Sequence, residues 1–545
     1  MSSNESLHSD KKMLFAAWTA NNKKYFAYQT FYFPLKKIFK HFISFDPQEY
    51  MIRYGKEEMN KKFLEIVKKE KPDFIFMWLI YDEFYIDTLL KIKELSPKTK
   101  TINIFTDDDT LFDKYSRHYA LIFDYKLVSQ NYYLKDYRKE GIDNIFDMAG
   151  ANIETNKPIK SEKKYDVTFI GTPKVDRYEL IKFLKKNKID VKIFGFGWEK
   201  YADLKDIWFG PVDQKEVNRI MNQSKINLCF SKNYLGGTHL NCRIFEIMAK
   251  KSFGIIEYFK GSLKLFKNNE EIVMFKDKED LLKKVKYYLK NEYERKRIAK
   301  NAYNCVIKKY SINKKIENIF NKIFSEKNKD TTTLPKIDYR LICLDKSDMC
   351  SNITKIRKKL NGYDYVCFKS NNFDSLKYKD YFQANSLKKS GKSISCCDYY
   401  VYSAGLGDYL IFSSYLAFKF IDQNDFSSLI NIGQLMVKKS YFLNNFDKFK
   451  DLFYNKKVEI INVKNTIFVA IPLIRVTKIN EISADKIDKC FYPIFENNFK
   501  KIGYNNRIMN ILLLYKLLSL SYSCKKAVLN YTFHRMKSVF FNKIS

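Results

Sequence analysis

One stretch of the sequence combines residue types that suit a phosphorylated ligand. Residues 236–249 read as a glycine-containing loop that leads into a helix. A helix N-terminus presents free N–H groups and a partial positive charge, which favour a bound diphosphate. Arg243 and Glu246 share one helical face, where a guanidinium can neutralise a phosphate and a carboxylate can accept hydrogen bonds from a ribose diol. The alternative is a capped helix with a surface Arg–Glu pair.

Two shorter turns have a related character. Gly171 closes an apolar segment, and a strand that ends in glycine lets the backbone approach a ligand closely. Arg177 opens the next predicted helix and is placed to reach phosphate groups. Val212 follows Gly210 and Pro211, in a turn whose backbone can hydrogen-bond a nucleobase edge. Each feature is equally compatible with an ordinary turn, and the absence of G-x-G-x-x-G argues against a nicotinamide cofactor.

Three consecutive carboxylates, Asp107, Asp108 and Asp109, follow another apolar segment. They suit an acceptor-side general base, a metal site or the acidic first turn of a helix. For the base we favour Asp107 or Asp108. His118, just beyond the run, and His239, in the candidate phosphate loop, are further candidates, although a lone histidine without a visible partner is more often structural.

The candidate residues lie at the ends of predicted strands that alternate with helices. Before residue 157, apolar and amphipathic runs predict strands at 13–18, 74–80, 101–105 and 123–129, with helices at 60–69 and 86–95. This alternation predicts a parallel, doubly wound α/β sheet. A polar segment with a proline, residues 157–164, then predicts a linker.

The same alternation restarts beyond the linker. It predicts strands at 166–170, 191–194, 226–230 and 253–257, and helices at 178–186, 217–221, 242–250, 280–290, 293–310 and 316–324. Two α/β domains, 13–156 and 165–325, joined in this way leave a cleft that suits a nucleotide ligand. A second polar linker, 325–336, precedes a third region at 338–545.

The length and apolar content indicate a large folded protein, and the net charge is compatible with an anionic partner. A length of 545 residues with 46 Phe and 40 Tyr fits three domains with apolar cores. The net charge of +36 suits a nucleotide diphosphate, a phospholipid headgroup or nucleic acid. Because lysine is dispersed and accompanies abundant Asn and Ile, a general coding bias is the favoured explanation.

Cysteine spacing and apolar runs bear on location. The ten cysteines lack metal-site spacing, and residues 1–12 lack an apolar signal core. Residues 508–520 are too short and too charged to span a bilayer. We therefore expect reduced thiols and a cytoplasmic protein. Peripheral association with the inner face of the membrane is an alternative for the basic tail from Arg507, although a packed helix pair is favoured.

In their order along the chain, these segments resemble the CgeB-like (spore maturation protein) glycosyltransferases, relatives of the large family 4 group. The likeness lies in residues 240–249, 254–257 and 271–277 of the second domain. In the first domain it lies in residues 71–76 and 103–109. It covers about residues 13–325.

The resemblance implies a GT-B fold, in which two Rossmann-like, doubly wound domains face a cleft. It implies transfer of a sugar from a nucleotide-diphosphate donor, with no obligatory metal or other cofactor. Carried over position by position, Glu246 would hold the donor ribose and Arg243 would lie near the diphosphate. Gly171 and Arg177 would flank the phosphates, and Val212 would neighbour the base.

One position departs from the family pattern. Many family 4 enzymes carry a second glutamate eight residues before the ribose glutamate, and here that position is Thr238. Retention or inversion of the sugar configuration therefore stays open. Basic side chains and a helix N-terminus would stabilise the departing diphosphate.

The third region resembles a degenerate GT-A glycosyltransferase. Residues 363–372 are similar to the central GT-A strand, and residues 381–389 to the helix that follows it. At the positions of the metal-binding D-x-D stand Ser370 and Asn372, so metal-dependent transfer is not expected there. We expect an additional accessory domain of α+β or α/β class.

Three functions are compatible with these features. The favoured one is a glycosyltransferase that acts on a glycan, lipid-linked or protein acceptor in bacterial surface glycan synthesis. The second is a non-catalytic glycan-binding or scaffold protein of the same fold, which Thr238 supports. The third, a nucleic-acid-binding protein, is disfavoured because lysine is dispersed and no nucleic-acid module is recognisable.

Overall fold

A computed structural model describes most of the chain. The described residues are 10–17, 28–79, 83–173, 176–232, 238–259, 261–325, 338–369, 373–375, 378–403, 407–412, 435–455 and 466–476. They form two parallel sheets and one mixed sheet, each accompanied by helices.

The first lobe is a six-stranded sheet with all neighbours parallel, in the order β2-β1-β3-β4-β5-β6. Its strands are β1 (Lys12–Ala17), β2 (His41–Phe45), β3 (Phe74–Trp78), β4 (Lys100–Phe105), β5 (Tyr125–Val128) and β6 (Ile145–Asp147). Its helices are α1 (Phe33–Ile38), α2 (Pro47–Glu70), α3 (Ile86–Leu95), α4 (Asp108–Leu111), α5 (Arg117–Tyr119) and α6 (Leu134–Lys139). β1, β3, β4 and β5 are mostly apolar and buried, as central parallel strands require.

The second lobe is a five-stranded parallel sheet in the order β11-β10-β9-β7-β8. Its strands are β7 (Tyr165–Ile170), β8 (Val191–Phe194), β9 (Ser224–Cys229), β10 (Gly254–Glu257) and β11 (Val273–Phe275). Its helices are α7 (Arg177–Lys186), α8 (Gln214–Gln223), α9 (Cys242–Ala249), α10 (Ser262–Leu265), α11 (Lys278–Lys290), α12 (Glu292–Lys309) and α13 (Ile312–Ser325). The strand order reverses between β7 and β9, and ligands bind at the carboxyl ends of the strands beside such a switch point.

The chain passes between the two lobes twice, and the two passages lie side by side. The Ala151 N–H donates to the Tyr310 carbonyl at 3.0 Å, and the Ile312 N–H donates to the Ala151 carbonyl at 3.0 Å. α13 then packs on the first lobe, where the Phe320 ring meets those of Phe39 and Phe74. The end of the second lobe is therefore part of the first lobe's core.

The third region contains a mixed sheet in the order β12-β13-β17-β15-β18-β14, with β16 paired to β15. Its strands are β12 (Leu341–Leu344), β13 (Tyr365–Phe368), β14 (Phe373–Ser375), β15 (Ile394–Ser403), β16 (Gly407–Phe412), β17 (Leu435–Lys438) and β18 (Thr466–Val476). Its helices are α14 (Lys346–Met349), α15 (Ile353–Lys359), α16 (Lys379–Ser390), α17 (Lys439–Asn444) and α18 (Phe446–Asn455). Apolar residues of this region and of the first lobe form one continuous cluster.

The predicted fold class is confirmed: two Rossmann-like lobes in the GT-B manner are followed by a mixed α/β region. The candidate D-x-D positions, Ser370 and Asn372, and the basic tail from Arg507 lie outside the described residues. None of the helices in the described part of the chain has the length and apolar character needed to cross a membrane.

The expectation that every thiol is reduced is wrong for one pair. Cys343 and Cys367 form a disulfide, with their Cα atoms 4.6 Å apart. They lie directly opposite each other on β12 and β13. The two cysteines are 24 residues apart in the sequence, and this spacing alone does not predict that they pair.

Candidate functional site

The helix α9 presents the Arg–Glu pair that the sequence singled out. Asn241 caps the helix, because its side-chain oxygen accepts the Arg243 N–H at 3.0 Å. Arg243 Nη1 lies 2.5 Å from Glu246 Oε2, and Glu246 is only 2% exposed. The alternative of a surface pair is therefore wrong, since the carboxylate is inside the lobe. Removing one partner of a buried pair leaves the other charge uncompensated, which is strongly unfavourable.

A second buried cation lies at the end of β7. Arg177 is 8% exposed, and its Nη1 donates to the Thr172 carbonyl at 3.2 Å. Its guanidinium carbon lies 5.7 Å from the Phe169 ring centre. Burial lowers the pKa of Arg177. Its Nε has no hydrogen-bond partner within the part of the chain that the structure describes, and such an orphaned buried donor suits an anionic ligand.

Glu257, the last residue of β10, organises the loop that follows β9. Its Oε2 accepts the backbone N–H groups of Ser231 at 2.8 Å and of Lys232 at 3.0 Å. The Lys232 ammonium lies 2.5 Å from Asp176 Oδ2 and 3.3 Å from Glu257 Oε1. This network ties the end of β9 to the residue that precedes α7.

The charged groups of these elements converge around the end of β9. The buried Cys229 thiol, whose pKa burial raises to about 12, lies within electrostatic range of Arg177, Arg243, Glu246 and Glu257. These four side chains therefore lie near the carboxyl end of one strand, beside the topological switch point.

Gly171 lies in a crowded turn, where both of its backbone polar groups are already hydrogen-bonded within the protein. Its N–H donates to the Phe194 carbonyl at 2.9 Å, and its carbonyl accepts the Trp198 indole N–H at 2.7 Å. A Cβ atom at Gly171 would lie 2.7 Å from the Phe169 ring, and one at Gly195 would lie 2.4 Å from the Gly171 carbonyl oxygen. Gly195 is therefore needed for close contact between the end of β7 and the turn after β8, and Gly171 leaves room for the Phe169 ring.

Val212 and His239 take less central positions. Val212 is partly buried and packs on the apolar cluster that includes Phe194 and Ile244. The His239 backbone N–H donates to the Ser231 carbonyl at 2.9 Å, which places His239 beside the start of the loop after β9. The tip of that loop, with Gly236 and Gly237, lies outside the described residues.

Lys250 connects this site to the interdomain linker. Lys250 is buried, and its ammonium donates to Asn156 Oδ1 at 2.5 Å and to the Glu246 carbonyl at 3.3 Å. Burial lowers the pKa of Lys250 to about 7. The end of α9 is therefore held by Asn156, which immediately precedes the interdomain linker.

The three carboxylates after β4 have three different environments. Asp107 is exposed and left-handed, with a φ of 56°, immediately before α4. Asp108 is buried, and the Tyr137 hydroxyl donates to its carboxylate at 3.0 Å. Burial raises the pKa of Asp108 to about 7 and that of Asp109 to about 6. Of the three carboxylates, Asp107 is the one that is exposed at the surface.

The acidic run faces the beginning of α9. Asp107 lies within electrostatic range of Cys242, the first residue of that helix. The Tyr132 hydroxyl donates to Asp109 Oδ2 at 2.5 Å and accepts the Leu240 N–H at 3.3 Å. No three His, Cys, Asp or Glu side chains in the described ranges are placed to share a metal ion, so a metal role for the run has no geometric support.

His118 lies in a different part of the first lobe. It is buried against α16, with its Nδ1 3.5 Å from Ser386 Oγ and its ring 6.3 Å from that of Phe382. Burial lowers the pKa of His118 to about 3, so its ring is neutral. These side-chain contacts with the third region do not connect His118 to α9.

Several residues of the site were missed in the sequence. Glu257 could have been identified from the sequence, because it is a carboxylate at the end of an apolar strand. The three aspartates after β4 were identified from the same kind of position. Lys232 precedes the candidate phosphate loop, and Asp176 directly precedes Arg177, but neither residue was predicted to belong to the site. Tyr132 carries no signal, since nothing in its neighbourhood reveals a partner in the other lobe.

Part of the chain matches a known protein family. A family model described as glycosyl transferase-like matches residues 177–321, which extend from the start of α7 into α13. The predicted glycosyltransferase class is thus confirmed for this segment. A search of curated proteins gives no match to the chain.

Solved structures with similar folds are distant in sequence. HepE of Anabaena in complex with UDP is 11% identical, with a TM-score of 0.43, over 58% of this chain and 100% of its own. Sucrose-phosphate synthase of Thermosynechococcus elongatus is 10% identical, with a TM-score of 0.40, over 58% of this chain and 99% of its own. The pneumococcal O-GlcNAc transferase GtfA, with UDP and GlcNAc, is 10% identical, with a TM-score of 0.37, over 48% and 60%.

Proposed function

We propose that this protein transfers a sugar from a nucleotide-diphosphate donor to an acceptor bound in the cleft. The observation that carries the proposal is the convergence of Arg177, Arg243 and Glu246 at the switch point of the second lobe. Cations suit the diphosphate, and a buried carboxylate suits the ribose diol. The match of residues 177–321 to a glycosyl transferase-like family supports the same assignment.

On the donor side, each group has a distinct task. The orphaned Arg177 Nε and the N-terminus of α9 would bind the diphosphate. Glu246 would accept hydrogen bonds from the ribose, and Arg243 would exchange part of its contact with Glu246 for a phosphate oxygen. Val212 would neighbour the base, and Gly171 would keep the path between them open. Because cation and carboxylate are already paired, neither charge is left uncompensated before the donor binds.

On the acceptor side, the structure separates the two carboxylates that we favoured as bases. Asp107 is exposed and faces the start of α9, whereas Asp108 is buried beneath Tyr137. We propose that Asp107 takes the proton of the acceptor hydroxyl and that Asp108 fixes the turn behind it. His118 is a packing residue in this scheme.

In this scheme, catalysis depends on positive charge that is held in place before the reaction begins. As the bond between sugar and phosphate breaks, negative charge grows on the diphosphate and the sugar gains oxocarbenium character. The guanidinium groups and the helix N-terminus would stabilise that charge without reorganisation. Approach of the two lobes would exclude water and so limit hydrolysis of the donor.

The narrower predictions belong to the same proposal. The acceptor is a glycan, a lipid-linked glycan or a protein, in a bacterial surface pathway of the kind that CgeB-like relatives suggest. We further propose that no metal is obligatory and that the third region is accessory. A glycan-binding protein without turnover is the second candidate, because Thr238 stands where a second glutamate is common.

A donor screen tests the proposal. UDP-, GDP-, ADP- and CMP-sugars are compared by thermal shift and by release of free nucleotide. We expect one donor to raise the melting temperature and to release its nucleotide, with both effects lost in Glu246→Ala and Arg243→Ala. Stabilisation without turnover would favour the glycan-binding alternative. No stabilisation of the folded wild type by any nucleotide would contradict the donor site.

A further inference from the structure

Tyr132 is a first-lobe residue that contacts the second lobe at the cleft. Its hydroxyl accepts the Leu240 N–H at 3.3 Å, one residue before the Asn241 cap of α9. Its ring packs on the second-lobe cluster that includes Phe245 and Ile244. The ring and the hydroxyl therefore both contact the lobe that carries the donor site.

The same hydroxyl is the donor in a hydrogen bond to the acidic run. It lies 2.5 Å from Asp109 Oδ2, and a hydrogen bond to a charged acceptor is among the stronger kinds. Burial and Asp109 together raise the pKa of Tyr132, so the hydroxyl keeps its proton and donates. Of the neighbouring titratable groups, Asp107 raises the pKa of Asp109, and Tyr133 raises the pKa of Tyr132.

This arrangement forms a continuous chain across the cleft, from Asp109 through Tyr132 to the Leu240 amide. We propose that Tyr132 is a positioning residue, which holds the acidic run against the loop before α9 so that acceptor-side and donor-side groups keep one geometry. The proposal rests on the proposed transferase function. Asp107, two residues from Asp109, would be aligned through this contact.

The neighbouring tyrosine supplies a matched control. Tyr133 is adjacent in sequence, and its ring lies 5.2 Å from that of Phe112, within the first lobe. No hydrogen bond of its hydroxyl is present among the described residues. Tyr133→Phe therefore removes the same atom from the same type of residue without touching the second lobe.

The test uses the full chain and two independent measurements. Hydrogen exchange at the Leu240 amide is measured without ligand, and kcat and the nucleotide Kd are measured with the donor found in the screen. In Tyr132→Phe we expect exchange at Leu240 to rise about tenfold or more and kcat to fall about tenfold, with Kd within about twofold of the wild type, as loss of one hydrogen bond would produce. Tyr133→Phe should change none of the three.

Three outcomes would overturn the proposal. Unchanged exchange at Leu240 would show that the contact is not held in solution. Faster exchange with unchanged kcat would show that Tyr132 merely packs on the loop before α9. Faster exchange with a tighter nucleotide Kd would show that Tyr132 obstructs that loop. Absence of turnover by the wild type would contradict the transferase function and leave no step to position, whatever the exchange data show.

Discussion

At the scale of single residues, Asp107 and Asp108 are adjacent in sequence but differ in their exposure to solvent. Asp107 adopts a left-handed φ of 56° and points to solvent, whereas Asp108 begins α4 and is buried. Asp tolerates the left-handed region better than most residues, which lets the chain turn sharply there. The sequence predicted a functional acidic run, but it did not reveal which carboxylate is accessible.

The burial of Asp108 leads to a prediction about pH. Its pKa is raised from 3.8 to about 7, so the folded state binds its proton more tightly than the unfolded state does. The stability it contributes is complete below about pH 4 and is lost as the pH rises towards 7. Asp108→Asn removes this loss. We expect the melting temperature of the variant, relative to wild type, to be about 2–3 °C higher at pH 8 than at pH 5, equivalent to about 2–3 kcal/mol.

Asp203 supplies the control for this experiment. Hydrogen bonds from Lys182 and Tyr178 lower the pKa of Asp203 below 3.8, so it stays ionised from pH 5 to pH 8. Asp203→Asn should therefore shift the melting temperature equally at both pH values. An Asp108→Asn shift that is also equal at both would show that Asp108 does not titrate in this range.

The site residues that the sequence identified share one local property. Arg243 and Glu246 occupy the same face of one short helix, and Gly171 and Arg177 flank one turn, so their relations depend on spacing that the sequence displays. Lys232 and Tyr132 depend on partners 56 and 108 residues away. Their roles follow from how strands and lobes assemble, which spacing does not encode.

At the scale of elements, the buried strands were the most predictable. β8 and α3 have the predicted bounds, Val191–Phe194 and Ile86–Leu95. β2 was not predicted, because it is an edge strand with mostly exposed or half-buried residues, and β6 and β11 have only three residues each. Apolar runs indicate central strands, but short and edge strands owe their form to their neighbours.

The paired passages between the lobes give a prediction at this scale. A Cβ atom at Gly150 would lie 2.1 Å from the Tyr310 carbonyl oxygen, which accepts the Ala151 N–H. Gly150→Ala would force these backbones apart and weaken both hydrogen bonds. We expect a loss of about 2–3 kcal/mol in the free energy of unfolding, measured by urea denaturation.

Gly141→Ala is the control for Gly150→Ala, because it separates the effect of steric crowding on stability from the effect of backbone conformation. Gly141 has a φ of 72°, and a Cβ atom there would meet nothing within 4 Å. Its substitution should cost only the conformational preference, about 1 kcal/mol. If the two substitutions cost the same, the contact between the passages does not limit stability.

At the scale of the whole molecule, the third region is more closely joined to the rest than its linker suggests. Its apolar residues continue the first lobe's core, and Lys389 lies 3.3 Å from Glu140 as His118 packs on α16. Composition and the polar linkers predicted three domains in order along the chain. They did not predict that the third would be attached directly behind the acidic run, because contacts between domains leave no periodic pattern.

The central claim, that the carboxyl ends of β7, β9 and β10 bind a nucleotide diphosphate, has a direct test in the complete chain. The second lobe offers a matched pair of glutamates, since Glu216 pairs with Arg219 at 2.5 Å with the same i,i+3 spacing as Glu246 and Arg243. Glu216 lies on α8, where its side chain is 39% exposed. Glu216→Gln therefore controls for the loss of a glutamate charge paired at this spacing on the surface of the same lobe.

The measurement is calorimetric titration of the nucleoside diphosphate from the donor screen into wild type, Glu246→Gln and Glu216→Gln. The account predicts that Glu246→Gln weakens binding about tenfold or more, because one of the two buried acceptor oxygens for the ribose diol becomes an NH2 donor and the charge is lost, while Glu216→Gln stays within about twofold of wild type. Equal affinity in all three folded proteins would contradict the placement of the donor at this end of the sheet.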